Sequence, residues 1–214
     1  MKQLTERQKT RRAAILSAAR DLIVEHGYEG VTMRELAARS DVALKTLYQQ
    51  YDNKENLLAK AVEELHSDTY AEIMKVDKET GLDKLFFIID NVLSKNMEND
   101  AYARTMAPIL ARGASTVSFI ETRKAAYRQA VEQMQADGGL TADIDIDLML
   151  DILHRQSSSL YFEWARGLTP TPIVGDTIKL QMCMVLSSVT RGQTHDRIST
   201  YIQQLSRKCA EFPG

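Results

Sequence analysis

The chain has 214 residues, 44% of them hydrophobic, enough for one large domain or a small one joined to a larger one. Only 4 Pro and 10 Gly argue against an all-β or loop-rich architecture, and the abundance of strong helix formers predicts an all-α protein. A formal charge of −2 does not by itself point to nucleic acid, yet residues 1–60 are net positive and the remainder net negative. The amino terminus is the most basic part, with Lys2, Arg7, Lys9, Arg11, Arg12 and Arg20 against Glu6. No signal-peptide core or bilayer-length apolar run is present, so no membrane partner is expected. Cys183 and Cys209 lack metal-like spacing and suit a reduced, cytoplasmic setting.

A first helix is predicted over 7–26, with Ile15, Ala19 and Leu22 at helical spacing and Gly27 as its left-handed stop. Thr32-Met33-Arg34-Glu35 is a capping box, starting a second helix over about 33–39. Ser40-Asp41 breaks it. A third helix follows over about 43–49, with Val42 and Leu47 inward. Asp52-Asn53 caps a fourth, which runs through Leu57, Leu58, Ala61 and Leu65 to about Val76. Further helices are predicted near 81–98, 101–112, 115–137, 145–168, 173–191 and 195–211, separated by Gly, Pro and Asn-Asp breaks. The division expected is a helix-turn-helix unit over 1–53 and a larger helical body over 54–214, with helix 54–76 shared.

The second and third helices have the layout of a helix-turn-helix, in which the second helix of the pair enters the major groove and the first steadies it. Candidate reading residues are Ala43, Leu44, Lys45, Thr46, Tyr48 and Gln49. Lys45 can bond a guanine edge or a phosphate, Thr46 either one, and Gln49 an adenine edge, while Leu44 offers only apolar contact. Tyr48 suits a phosphate oxygen. Thr32 and Lys54 sit at helix starts, where amides and dipole favour an anion. Arg34, with Arg11 and Arg12, can track the backbone, and Tyr51 belongs to the same surface. The bland alternative is a helical subdomain in which Tyr48 and Tyr51 only pack.

Residues 12–58 resemble the amino-terminal domain of the TetR family of transcriptional regulators. The matching residues are Ile15-Leu16, Ala18-Ala19, Gly27-Tyr28, Val31-Thr32, Leu36-Ala37, Val42, Thr46-Leu47-Tyr48, Tyr51, Lys54-Glu55 and Leu57-Leu58. The run TLYQQYDNKENLL is close to the family's TLYxxFxxKexLL. Asp41 stands where a turn glycine is usual, Ala43 where a serine opens the reading helix, and Tyr51 where phenylalanine is common.

In the body, Leu150, Leu153, Ser157, Leu160 and Trp164 form one face of the 145–168 helix, and Leu148, Ile152 and Ser159 a second. In 173–191, Ile178, Met182, Val185 and Val189 form one stripe, with Leu180 and Met184 on another. A helix apolar on two faces is buried in a monomer or shared with a partner. The resemblance implies a homodimer through these two helices, with Leu148, Ile152, Ser159, Ile178, Met182, Val185 and Val189 as interface. It also implies that some of Phe86, Met97, Tyr102, Met106, Phe119, Tyr127, His154, Tyr161 and Trp164 line a cavity for an unknown small-molecule effector. Packed core is the plainer reading of each alone. His154 and Glu163 are polar candidates.

The function expected is a DNA-binding transcriptional regulator, a dimeric repressor released from a palindromic double-stranded operator by a small molecule. The alternative is a helix-turn-helix protein with an architectural or division-related role and no inducer. No enzyme is expected, since no nucleophile motif, phosphate-binding loop or carboxylate pair stands out, and neither a cofactor nor a metal is implied.

Overall fold

Side-chain caps open α-helices at Thr5, Thr32, Asn53 and Asp145. The computed structural model describes residues 5–76, 79–97, 104–105, 116–141 and 143–212. Among these, the helices are α1 (Glu6–Gly30), α2 (Met33–Arg39), α3 (Leu44–Tyr51), α4 (Lys54–Val76), α5 (Gly81–Met97), α6 (Thr116–Ala136), α7 (Ile146–Ala165), α8 (Thr171–Ser187) and α9 (Gly192–Ala210). The helix expected over 101–112 falls almost wholly outside the described residues, as do Tyr102 and Met106.

Thr5 opens α1 with its own capping box, its amide donating to Gln8 Oε1 at 2.8 Å. Gly27, at φ +67°, interrupts α1, and a short turn continues to Gly30. The Asn53 side chain accepts from the Asn56 amide at 2.8 Å and opens α4 as expected. α8 starts two residues earlier than expected, because Pro172 sits in the first turn, where its missing N–H loses no helical bond. α7 ends at Ala165, three residues early, in a turn through Gly167 at φ +76°.

The chain divides into two compact units inside α4, at Asp68 and Thr69. Unit 1 comprises Met1–Asp68 and Asn99–Phe119. Its core includes Ile15, Leu16, Leu22, Ile23, Leu36 and Leu47 together with Leu57, Leu58 and Ala61 of α4. Each such buried aliphatic side chain contributes about 1.5–3 kcal/mol, which explains why the first turns of α4 belong here. Arg12 pairs closely with Glu64, and Arg20 reaches the Ala61 carbonyl at 3.5 Å, tying α1 to α4.

Unit 2 comprises Thr69–Glu98 and Ile120–Gly214. α8 packs against α7, α9 and α5. Leu85, Ile88, Leu150, Leu153, Trp164, Met182, Cys183 and Ile198 fill its centre. The Trp164 indole donates to Thr171 Oγ1 at 3.0 Å across the α7–α8 turn. An isolated antiparallel bridge, Leu140 to Thr190, closes the loop before α7 against the end of α8.

Candidate nucleic-acid interface and effector cavity

The α2–α3 turn is built by backbone bonds that depend on one unusual residue. Asp41 adopts φ +52°, a left-handed conformation that aspartate tolerates better than most residues. The chain then folds back so that the Val42 amide donates to the Ala37 carbonyl at 3.0 Å. Ser40 caps the end of α2 through its hydroxyl, 2.6 Å from the Leu36 carbonyl. With alanine at position 43, α3 opens with no side-chain cap.

Helical periodicity then sorts α3 into two faces. Leu44, Leu47 and Tyr51 lie three and four residues apart and turn inward, Leu47 with no exposed surface. Lys45, Tyr48 and Gln49 lie off that stripe and are exposed, Tyr48 by half its surface. Ala43 is exposed and Thr46 half-buried. The outward set therefore presents an ammonium, a phenol and a carboxamide from one short helix, the donors and acceptors a major-groove edge needs.

Two of the sequence-based assignments need correcting. Leu44 is half-buried on the inward stripe rather than an exposed apolar contact. The Tyr51 hydroxyl is buried without a hydrogen-bond partner among the described residues, so it does not face a groove. Burial raises its pKa; the charges of Arg12 and Arg11 act in the opposite direction.

The expected phosphate seats are partly occupied. The Thr32 amide and hydroxyl both donate to Glu35, at 3.0 and 2.7 Å, completing the capping box. These bonds hold the Glu35 carboxyl below its usual range, and its negative charge sits where a phosphate would approach. The Lys54 ammonium donates to the Tyr28 carbonyl at 3.3 Å and lies 4.9 Å from the centre of its ring. It keeps two further N–H groups by valence. Arg34 is exposed, whereas Arg12 is held by Glu64.

Unit 2 contains a cavity with room for one or two water-sized groups, about 20 Å3. Of the residues expected to line it, Tyr127 and Tyr161 do so. Tyr70, Ile89, Val92, Leu93, Arg123, Ser157 and Ile178 complete the wall and were not among the expected lining. Phe86 instead packs edge-on against Tyr201. Phe119 stacks on His66 within unit 1. Trp164 is core, Met97 is half-buried away from the cavity, and Glu163 is exposed. His154 is buried beside this region but does not line it, and burial together with the Arg123 charge pushes its pKa down to about 4.

Arg123 is the residue that sequence reasoning missed. It is 4% exposed, donates from Nε to the Tyr70 hydroxyl at 3.2 Å and from Nη1 to Ser158 Oγ at 2.8 Å. Tyr127 donates to Ser157 Oγ at 3.4 Å beside it. The only sequence signal was its place between Ile120 and Ala126–Tyr127 on the inward stripe of a helix.

The expected dimer surface also needs correction. Ile178 and Met182 are buried within unit 2, Ile178 against the cavity, so this α8 stripe serves the subunit's own core. Val185 and Val189 are half-buried. Leu148 and Ile152 of α7, with Met184 of α8, are the large apolar side chains that these helices expose, and Ser159 is exposed with them. No described helix is long and apolar enough to cross a membrane, and no described cluster of His, Cys, Asp or Glu converges as metal ligands would.

Residues 15–61 match the family described as bacterial regulatory proteins, tetR family. The chain is 27% identical over 185 residues to the transcriptional repressor KstR of Mycobacterium tuberculosis, covering 80% of this chain and 84% of that one. Against KstR of Rhodococcus jostii identity reaches 47% over 55 residues, about 26% of each chain. Among solved structures, a TetR transcriptional regulator from Rhodococcus sp. RHA1 superposes with a TM-score of 0.67 at 20% identity, over 85% of this chain and 97% of that one. The helix-turn-helix that presents Lys45, Tyr48 and Gln49 and the residues matched around it make residues 15–61 a DNA-binding domain of the tetR family, and the helical body of the chain shares the fold of solved TetR regulators.

Proposed function

We propose that the chain works as a homodimeric repressor in the cytoplasm, released from a palindromic operator when a small molecule enters the unit 2 cavity. The observation that carries the DNA-reading part is the outward face of α3: Lys45, Tyr48 and Gln49 exposed together on a helix anchored by a fully buried Leu47. Lys45 and Gln49 meet base edges, Tyr48 meets phosphate, and Lys54 and Arg34 supply salt-dependent affinity. Thr32 acts chiefly as a helix cap, because its donors are committed to Glu35.

Dimerisation supplies the second reading helix, and the exposed Leu148, Ile152 and Met184 support an interface at this end of the α7–α8 pair. α4 supports the coupling, since its first turns bury Leu57, Leu58 and Ala61 in unit 1 while Tyr70 near its end lines the unit 2 cavity. Half-sites on B-DNA lie about 34–36 Å apart or at multiples of that, so a shift of a few ångströms between reading helices spoils simultaneous docking. Coupling of about 1–3 kcal/mol loosens an operator roughly 5–150-fold.

Selection of bound sequences from a random DNA pool tests this reading. It should return two inverted half-sites. Lys45→Ala should then cost about 1–3 kcal/mol and relax the preference at one position. Lys54→Ala should weaken all sequences alike and lower the salt slope by about one. Binding at many dispersed, unrelated sites, or unchanged binding by both variants, refutes it.

A further inference from the structure

Among the described residues, Asp41 and Asp52 are the non-glycine residues with positive φ, and they stand on either side of α3. Backbone strain of this kind persists only where the surroundings over-determine it, and it gathers at functional sites. Asp41 makes the α2–α3 turn already described. Asp52, at φ +68° and ψ −53°, has the geometry of a tight three-residue turn that L residues rarely adopt. The Asn53 amide donates back across it to the Tyr51 carbonyl at 2.8 Å. The Asp52 amide donates to the Tyr48 carbonyl at 2.9 Å and ends α3. Asp52 is exposed, so burial of its own side chain does not offset the strain. The anchors on either side hold it instead. Leu47 and the buried Tyr51 hydroxyl fasten α3 from within, the Asn53 side chain caps α4, and Leu57 and Leu58 have no exposed surface.

Two residues, Asp52 and Asn53, join α3 to α4. With so short a connection, the backbone angles of Asp52 set the direction of α3 relative to α4. Lys45 and Gln49 stand on α3 and Lys54 on α4, where the Tyr28 carbonyl steadies it at 3.3 Å. Phosphate contacts fix register on a duplex and base contacts specify sequence, so the two sets cooperate only while their helices keep one relative orientation. We infer that Asp52 is a positioning residue for DNA reading. Its strained turn locks α3 at one angle to α4, so that Lys45 and Gln49 meet base edges while Lys54 meets phosphate. This inference rests on the operator-reading assignment proposed above. The backbone geometry carries the effect, and the carboxylate does not. Relaxing the turn lets α3 tilt while Lys54 still holds phosphate, so sequence discrimination falls and non-specific affinity stays.

The test titrates purified full-length variants with the selected operator and with a random-sequence duplex of equal length, all at one salt concentration. Asp52→Asn removes the charge but keeps a residue that tolerates positive φ, and it should retain the unaltered protein's ratio of operator to random affinity. Asp52→Val has the same charge as Asp52→Asn but places a branched side chain where φ is positive. Its ratio should fall about tenfold or more below that of Asp52→Asn, the scale of one lost base contact, with random-duplex affinity unchanged between the two. Asp52→Gly, which reaches the turn without strain, should restore the ratio. Should Asp52→Val fail to fold by circular dichroism, Asp52→Ala takes its place with the same direction expected. Equal ratios in the folded Val and Asn variants overturn the inference, because lost stability alone leaves the ratio of the folded protein unmoved. An equal fall in both overturns it too and places the effect on the carboxylate. An unaltered protein that prefers no DNA sequence overturns the operator-reading assignment itself, and the inference with it.

Discussion

Replacing Tyr51 by Phe should stabilise the protein and leave its operator affinity intact. The hydroxyl is buried with no hydrogen-bond partner among the described residues. An unsatisfied buried hydroxyl costs about 1–3 kcal/mol. Removing one oxygen leaves a void of roughly 10 Å3, which at about 24 cal/mol per Å3 returns only about 0.2 kcal/mol. The net gain expected is therefore about 0.8–2.8 kcal/mol, or about 2–4 °C in Tm per kcal/mol for a chain unfolding as one unit. A pH arm sharpens the test. Burial raises the Tyr51 pKa above its ordinary value, with Arg12 and Arg11 acting against it and Glu64 with it. A raised folded pKa means that the neutral phenol's contribution is complete below the ordinary value near 10 and lost as pH rises through the folded one. The variant cannot ionise there, so its advantage should widen above about pH 10. Urea denaturation followed by circular dichroism at neutral and alkaline pH, with operator titration alongside, measures both effects. A loss of about 0.5 kcal/mol or more would refute the burial argument. A tenfold loss of operator affinity in a folded variant would put the hydroxyl on a phosphate instead.

Three further outcomes are expected. His154 is held neutral by burial and by the Arg123 charge, its pKa pushed down to about 4. Its depressed folded pKa means stability falls as pH drops from about 6.5, at up to about 1.4 kcal/mol per pH unit from this residue. Urea titrations from pH 7 to 4 should show that limb flattened in His154→Gln, and an identical pH dependence in the two proteins would contradict it. Asp41 holds φ +52°, so Asp41→Gly should gain up to about 1 kcal/mol and Asp41→Val should lose about 1–2 kcal/mol in urea melts. A tolerated valine would mean the turn can be rebuilt without a left-handed residue. Leu148 is 55% exposed, so Leu148→Glu should leave the fold unchanged and shift sedimentation toward monomer, with operator affinity falling in step. A variant that stays dimeric would move the interface elsewhere.

The reading unit was legible in the sequence because its determinants are local. A capping box needs Thr and Glu three residues apart, and both Thr32–Glu35 and the Asn53 cap form where their spacing puts them. The starts of α2 and α4 and the interruption at Gly27 follow from steric and hydrogen-bonding rules that act within a few residues. Even the missing cap at Ala43 has a purely local cause. α8 was less legible at its start only because proline is permitted in a first turn as well as before it.

What the tertiary structure decided was which face each helix turns inward, and what charged groups it takes inside. Periodicity shows that α3 and α8 have apolar stripes, but not whether Leu44 and Tyr51, or Ile178 and Met182, meet a core or solvent. That depends on packing partners from distant segments, whose approach no local rule sets. Arg123 is the sharpest instance. In sequence it is one more charge on a mixed helix. Its burial depends on Tyr70, 53 residues away, and Ser158, 35 residues away, arriving with hydroxyls at its guanidinium. A buried cation survives only where such partners converge, so its role becomes visible once the helices are assembled.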